Sequence, residues 1–286
     1  RRDAILTDPL GPTVLKFGLP LAIAMGLQAT FNLIDLMIIG NLPNGRAAVG
    51  GLVICDMVAV IGTIFMTGIS NAAVAIISRF HGKGDRSALN HATWNSILIV
   101  AVLSIAFGLM GFLGAELIIG DIVGAGGEVR RVAVSYLRIL VGHSWTIFFL
   151  LHLTAVMRAM GSAKWPTIIL IGANALNIFL DVLMVYGTGP APSAFAWGAP
   201  IADFFGIARM EVDGAAWATV IARAVGCVFA GALLLRFDSG PRWVWREVRP
   251  KRREVFRLLR IGAPSSAQYV TRIAAILVAL SLVTRI

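Results

Sequence analysis

Apolar residues run along the chain in seven blocks, near residues 14–40, 48–78, 92–114, 132–157, 165–187, 213–235 and 259–284. Each block is long enough to cross a bilayer, which takes about 20 residues of helix. None shows the alternation of a transmembrane barrel strand, so the pattern predicts an all-α, polytopic membrane helix bundle. The breaks collect Gly, Pro and charge: "NLPNGR", "RFHGKGDRS", "GDIVGAGGEVRR", "RAMGSAKWP", a long segment over 188–213, and "RFDSGPRWVWREVRPKRREV". The 188–213 break is apolar enough for part of it to lie in the membrane interface.

Composition supports this reading. Of 286 residues, 58% are hydrophobic and 14% charged, with a mean hydropathy of +0.83; a soluble domain carries about a quarter charged residues. The basic residues then orient the chain. The N-terminal segment and the second, fourth and sixth connections hold seventeen Lys and Arg, nine of them in the sixth. The remaining connections hold only Arg46, Arg130, Arg131 and Arg209. Cytoplasmic loops carry such an excess, so the N-terminus is expected in the cytoplasm of a multi-pass inner (plasma) membrane protein. Topology and attraction to anionic headgroups therefore account for the net charge of +10, and nucleic acid is not an expected partner. Cys55 and Cys227 read as small buried hydrophobes, with no disulfide or metal site implied. The first block is too long and too late to be a cleaved signal peptide.

A short repeat links the two ends. "LKFGLPLAIAMGLQ" from Leu15 resembles "LRIGAPSSAQYVTR" from Leu259, with Gly18 over Gly262 and Pro20 over Pro264. After six spans the pattern restarts with the same orientation, as in a parallel duplication. The expected organisation is a six-helix lobe over 1–235, a basic cytoplasmic interlobe loop over 236–258, and span seven over 259–286, the start of a second repeat in a longer protein.

Acids within the apolar blocks carry the chemistry. Asp35 stands in "FNLIDLMIIG", where enclosing a carboxylate costs about 2.5–3.5 kcal/mol or more. Gln28, Asn32 and Asp35 fall on one helical face, as do Asn174, Asn177 and Asp181 in span five. The amides alone could be interhelical hydrogen bonds of about 1 kcal/mol each. The aspartates ask for more, because an amide would make the same bond without the desolvation cost.

The ordered motifs "FNLIDLMIIG", "SRFHGKGD", "RAMGSAKWP", "NALNIFLDVLMVYG" and "GAAWATVIAR" resemble the multidrug and toxic compound extrusion (MATE) family over the whole chain. The resemblance implies twelve spans in two six-helix lobes forming a V, of which this chain holds the first lobe and span seven. It implies that Asp35 and Asp181 form a cation-coupling site with Asn177 and Gln28 in support, and that Thr219 lies near it. Asn32 and Asn174 would line the cavity. Protonation, or Na⁺ at Asp35 and Asp181, would remove the cost of enclosing the charge and let span one bend at Pro20. In the repeat, Asp35 falls on Ala279 and Gln28 on Arg272, so coupling would be asymmetric between lobes.

Other groups keep two readings. Asp56 either lines the cavity and attracts a cationic substrate or lies near the outer surface in water. His143 and His152 either relay protons or, with no acid at helical spacing, pack and hydrogen-bond. Arg138 and Arg223 snorkel or pair with an acid. "HGKGDR" lacks the spacing of a phosphate loop, and Arg79, Gly82 and Asp85 suggest a tight turn, matched by Arg158 and Gly161.

The leading expectation is a secondary active transporter, working as a monomer without cofactor, that exports organic cations or amphiphiles by H⁺ or Na⁺ antiport. The alternative is a lipid-linked oligosaccharide flippase of the same superfamily, which would place Arg or Lys in the cavity for an anionic pyrophosphate. A membrane enzyme would need a metal motif or an intramembrane Ser/His pair, and no convergent spacing shows either. A non-transporting receptor sits poorly with the polar stripes, and the chain has no ATP-binding motif.

Overall fold

The computed structural model describes residues 10–237, 240–242 and 250–283, with all side chains in that range except those of 10–17, 20, 21, 24, 25, 28 and 272–283. Its helices are α1 (Leu10–Gly40), α2 (Gly45–Lys83), α3 (Arg86–Glu116), α4 (Gly127–Gly142), α5 (Trp145–Ala159), α6 (Lys164–Asp181), α7 (Gly198–Phe205), α8 (Glu211–Arg236) and α9 (Arg252–Val283). Wider π-helical turns extend α3 over Leu117–Ile122 and α6 over Val182–Tyr186. Seven helical units follow the order of the apolar blocks. Among the described residues α2, α3, α6 and α8 are long and apolar enough to cross a membrane, the bent pair α4 and α5 makes a fifth if it is one span, and there is no strand.

Three boundaries differ from the sequence reading. The block at 132–157 is two helices, α4 and α5, bent by 42° at His143 and Ser144. The cause is local: Ser144 Oγ donates to Ser104 O at 3.2 Å, and α3 approaches so closely that a Cβ on Gly108 would lie 2.9 Å from Gly142 O. Interhelical contact of this kind substitutes for the lost ladder bonds and permits a kink within a membrane. The 188–213 break contains the short helix α7, whose Phe204 and Phe205 are exposed. The last helix starts at Arg252 rather than near 259.

The described interior holds two large apolar cores and a small one of Met66, Val100 and Phe148. One joins the end of α1, the start of α2, α4, the π-turn after α6 and the start of α8. The other joins the end of α2, the starts of α3 and α6, α5, the end of α8 and Leu258 of α9. Helix α9 packs along α2, where the absence of side chains matters: a Cβ on Gly68 would meet Ser266 Oγ and sit 2.7 Å from Gly262 O. The repeated Gly and Pro positions lie in the early turns of α1 and α9 alike.

Candidate functional site

Asp35 and Asp181 each stand five residues before the end of a helical segment, at Gly40 and Tyr186. At 1.5 Å per residue this is about 7 Å deep. Tyr186 Oη donates to Ile38 O at 2.7 Å, locking α1 against the π-turn just beyond both acids. The two carboxyl groups lie within hydrogen-bonding reach of each other. Asp181 is 1% exposed and Asp35 half-buried. Neither Asp35 Oδ1 nor either Asp181 oxygen finds a donor among the described residues. Ionised carboxylates only accept, so the pair can close only around a proton or another cation.

A second tier lies deeper. Asn177 Nδ2 donates to Thr219 Oγ1 at 3.3 Å and sets the register of α6 against α8. One turn along α8, Arg223 lies in the electrostatic field of Tyr136, Asp56, Asp35 and Asp181. Cys55 Sγ donates to Ala133 O at 3.2 Å, tying α2 to α4 so that neighbouring Asp56 and Tyr136, one turn on, reach the same level. Counted from the helix starts at Gly45, Gly127 and Glu211, Asp56, Tyr136 and Arg223 lie about 13–18 Å deep. Five helices thus contribute to one charged cluster of three acids, one guanidinium and one phenol.

The structure brings Asp35, Asp181, Asn177 and Thr219 into one region, as the resemblance implied. Asp56 lies eleven residues into α2, with its side chain exposed on the lobe and in the electrostatic field of Arg223 and Asp35. Asn32 and Asn174 lie on the same helices and take part in interactions within the lobe. The side chains of Gln28 and Pro20 lie outside the described residues, and α1 is helical through both positions. Arg138 pairs with Glu116 at 2.7 Å. His143 bonds Ile139 O through Nδ1 at 2.8 Å and packs on Trp217. The two expected tight turns form, with the left-handed position at Gly84 (φ 73°) rather than Gly82, Asp85 capping α3 through Ala88 N at 3.0 Å, and Gly161 at φ 81°.

Two features escaped the sequence reading. Arg223, expected to snorkel or to pair with an acid, lies in the electrostatic field of three. And a Ser/His contact does exist: His152, fully buried, meets Ser70 Oγ through Nδ1 at 3.2 Å and Ser96 Oγ through Nε2 at 3.0 Å. These residues come from α5, α2 and α3, so no spacing along the chain could show them together. Both ring nitrogens are engaged by serines in a dry core, a hydrogen-bonded packing arrangement without the open nucleophile that hydrolysis needs.

A multi-pass helical lobe that encloses ionisable groups has the construction of a membrane transporter. The MatE family model matches residues 20–183, more than half of the chain, and the chain belongs to that family. Relatives include the probable multidrug resistance protein YpnP of Bacillus subtilis, 26% identical over 89% of this chain and 52% of the relative. The probable multidrug resistance protein NorM of Thermotoga maritima is 26% identical over 89% and 51%. The FAD transporter of Shewanella oneidensis is 23% identical over 82% and 48%. The chain thus spans about half the length of the relatives it matches. A crystal structure of MATE in the bent conformation superposes with a TM-score of 0.76 at 21% identity, over 92% of this chain and 54% of that one. An outward-facing MATE transporter gives 0.75 at 23% over the same shares. The fold is that of a MATE lobe, and the family is one of transporters, not enzymes.

Proposed function

We propose that the protein exports organic cations or amphiphiles across the inner membrane, cytoplasmic N-terminus inward, by exchange for H⁺ or Na⁺ held between Asp35 and Asp181. The single observation that supports this is the pair of facing carboxyl groups, one almost wholly buried, with no donor from the described protein. Held without a cation, the pair suffers repulsion and desolvation; a bound cation removes both. Closure of α1 onto α6 then follows occupancy, and the cavity changes its grip on cargo. Asn177 and Thr219 fix the register that brings the acids face to face. A basic cytoplasmic approach, a monomeric unit and the absence of a resident cofactor complete the reading.

The flippase alternative draws support from one observation, the guanidinium of Arg223 inside the cluster. Three acids still outnumber it, so the cluster favours a cationic cargo. The test is uptake of a fluorescent organic cation into inverted vesicles carrying the full-length protein, with the proton and sodium gradients collapsed separately. Transport should fail when the coupling gradient is removed and in Asp35→Asn and Asp181→Asn. Full gradient-driven transport in both variants would end the proposal.

A further inference from the structure

A cation exchanged at Asp35 and Asp181 has to pass a closed surface. Asp181 is 1% exposed, and at the nearby helix ends Ile38 and Tyr186 are 0% and 2% exposed. Turn geometry puts those two residues over the acids. Ile38 stands three residues after Asp35 on α1, one turn along the same face. Tyr186 stands five residues after Asp181, and the chain between them is the π-turn Val182–Tyr186. In an α-helix, residues five apart point about 140° away from each other. A π-turn bonds residues five apart and so keeps Tyr186 on the face of Asp181. One turn beyond the acids, the Tyr186 hydroxyl therefore reaches from the end of α6 to α1 and donates to Ile38 O at 2.7 Å. That carbonyl is open to it because Leu42 N–H, which would continue the helical ladder, donates to Ile39 O at 3.1 Å instead.

The segment after Tyr186 holds the ring down. Gly187, at φ 54°, turns the chain back so tightly that a Cβ there would lie 2.5 Å from Arg209 N. Thr188 N–H donates to Ile207 O at 3.2 Å, and Met210 N–H donates to Met184 O, a carbonyl of the π-turn, at 2.9 Å. The loop so stitched lays Phe195 on the Tyr186 ring, with centroids 5.8 Å apart and planes inclined by 21°. The acids are thus covered by one ring stacked on another, latched to α1 through a phenol. A neutral hydrogen bond suits a latch, because its net contribution is small enough to be broken and re-formed. We infer that Tyr186 is the lid residue of the acid pair. With its hydroxyl on Ile38 O the site is shut at this end, and the bond parts to let a cation in or out as α1 moves from the π-turn. The π-turn makes the lid, since a regular helix would swing the ring off the face of Asp181. This rests on the cation-coupling reading above and adds to it the residue that controls access.

The experiment labels carboxyl groups of the full-length protein in nanodiscs with a water-soluble carbodiimide and glycine methyl ester, and reads the rate at Asp181 by mass spectrometry. Tyr186→Phe keeps the stacked ring and removes the latch. Asp181 should then be labelled about fivefold faster, the weight of one neutral hydrogen bond on an open–closed equilibrium. The exposed Glu128 should be labelled at its original rate. Phe195→Ala, which leaves the latch and removes the ring above it, should accelerate labelling of Asp181 by a smaller factor. Unchanged labelling of Asp181 in folded Tyr186→Phe overturns the inference. So does equal acceleration at Asp181 and Glu128, which would make Tyr186 a packing residue of the lobe. Should Tyr186→Phe not fold, Phe195→Ala decides the question, and an unchanged rate at Asp181 there overturns the inference. Failure of the underlying reading looks different: Asp181 would be labelled faster in Tyr186→Phe, yet Asp35→Asn and Asp181→Asn would transport normally.

Discussion

Two polar clusters among the described residues are built on opposite terms. Around His152 everything is neutral and paired: each ring nitrogen has a serine hydroxyl, and the three residues come from three packed helices. Around Asp181 the groups are charged, and the acid oxygens lack donors. A satisfied neutral network holds helices together and resists change. An unsatisfied charged one is costly until a cation arrives, so its energy depends on occupancy. The contrast teaches that polarity inside a membrane protein divides by completeness: closed networks hold the fold, open ones respond to ions.

Asp181→Asn is the substitution with the largest expected effect, since it removes the responsive charge. Gradient-driven transport should fall by about a hundredfold or to background, while thermal unfolding in detergent stays level or rises, because an unmatched buried charge has gone. A clear loss of stability with transport retained would reverse the roles of the two clusters. His152→Ala should do the converse. It opens a cavity and takes the ring partner from Ser70, while Ser96 keeps its bond to Thr93 O; the cost is about 3 kcal/mol of stability. The folded fraction should keep its ion dependence, measured as transport per molecule against pH and sodium. Thr219→Val sharpens the boundary between the clusters by removing only the bond to Asn177; about 1 kcal/mol of stability and a severalfold drop in transport are expected. Asp85→Ala, in the turn between α2 and α3 and outside both clusters, calibrates the scale: loss of its cap on Ala88 should cost about 1 kcal/mol and leave transport per folded molecule unchanged.

Much of the fold was legible because membrane spans are written locally. A run of apolar residues reports its own length, and the breaks report themselves through Gly, Pro and charge, so the seven units emerged in order. The acid stripes were legible for the same reason, since Asn177 and Asp181 mark one face of one helix whatever surrounds it. What escaped was contact between helices distant in the chain. Ser70, Ser96 and His152 are each unremarkable on their own helix, and only packing turns them into a network. The bend at His143 arises from α3 pressing on Gly142 and from Ser144 bonding Ser104, neither of which a hydropathy pattern can register. Arg223 kept two readings, snorkelling or pairing with an acid, because the sequence carries no sign of which acids lie across the bundle.

What the amino-acid order alone determined is therefore the set of helices and the face on which each acid stands, since both depend on residues within a few turns of one another. Only the tertiary structure decided which faces meet. Close helix packing, bonds such as Tyr186 to Ile38 and the register of α6 on α8 put three acids and one arginine in a common field. Electrostatic energy depends on distance through space, and distance through space is what a linear chain does not record.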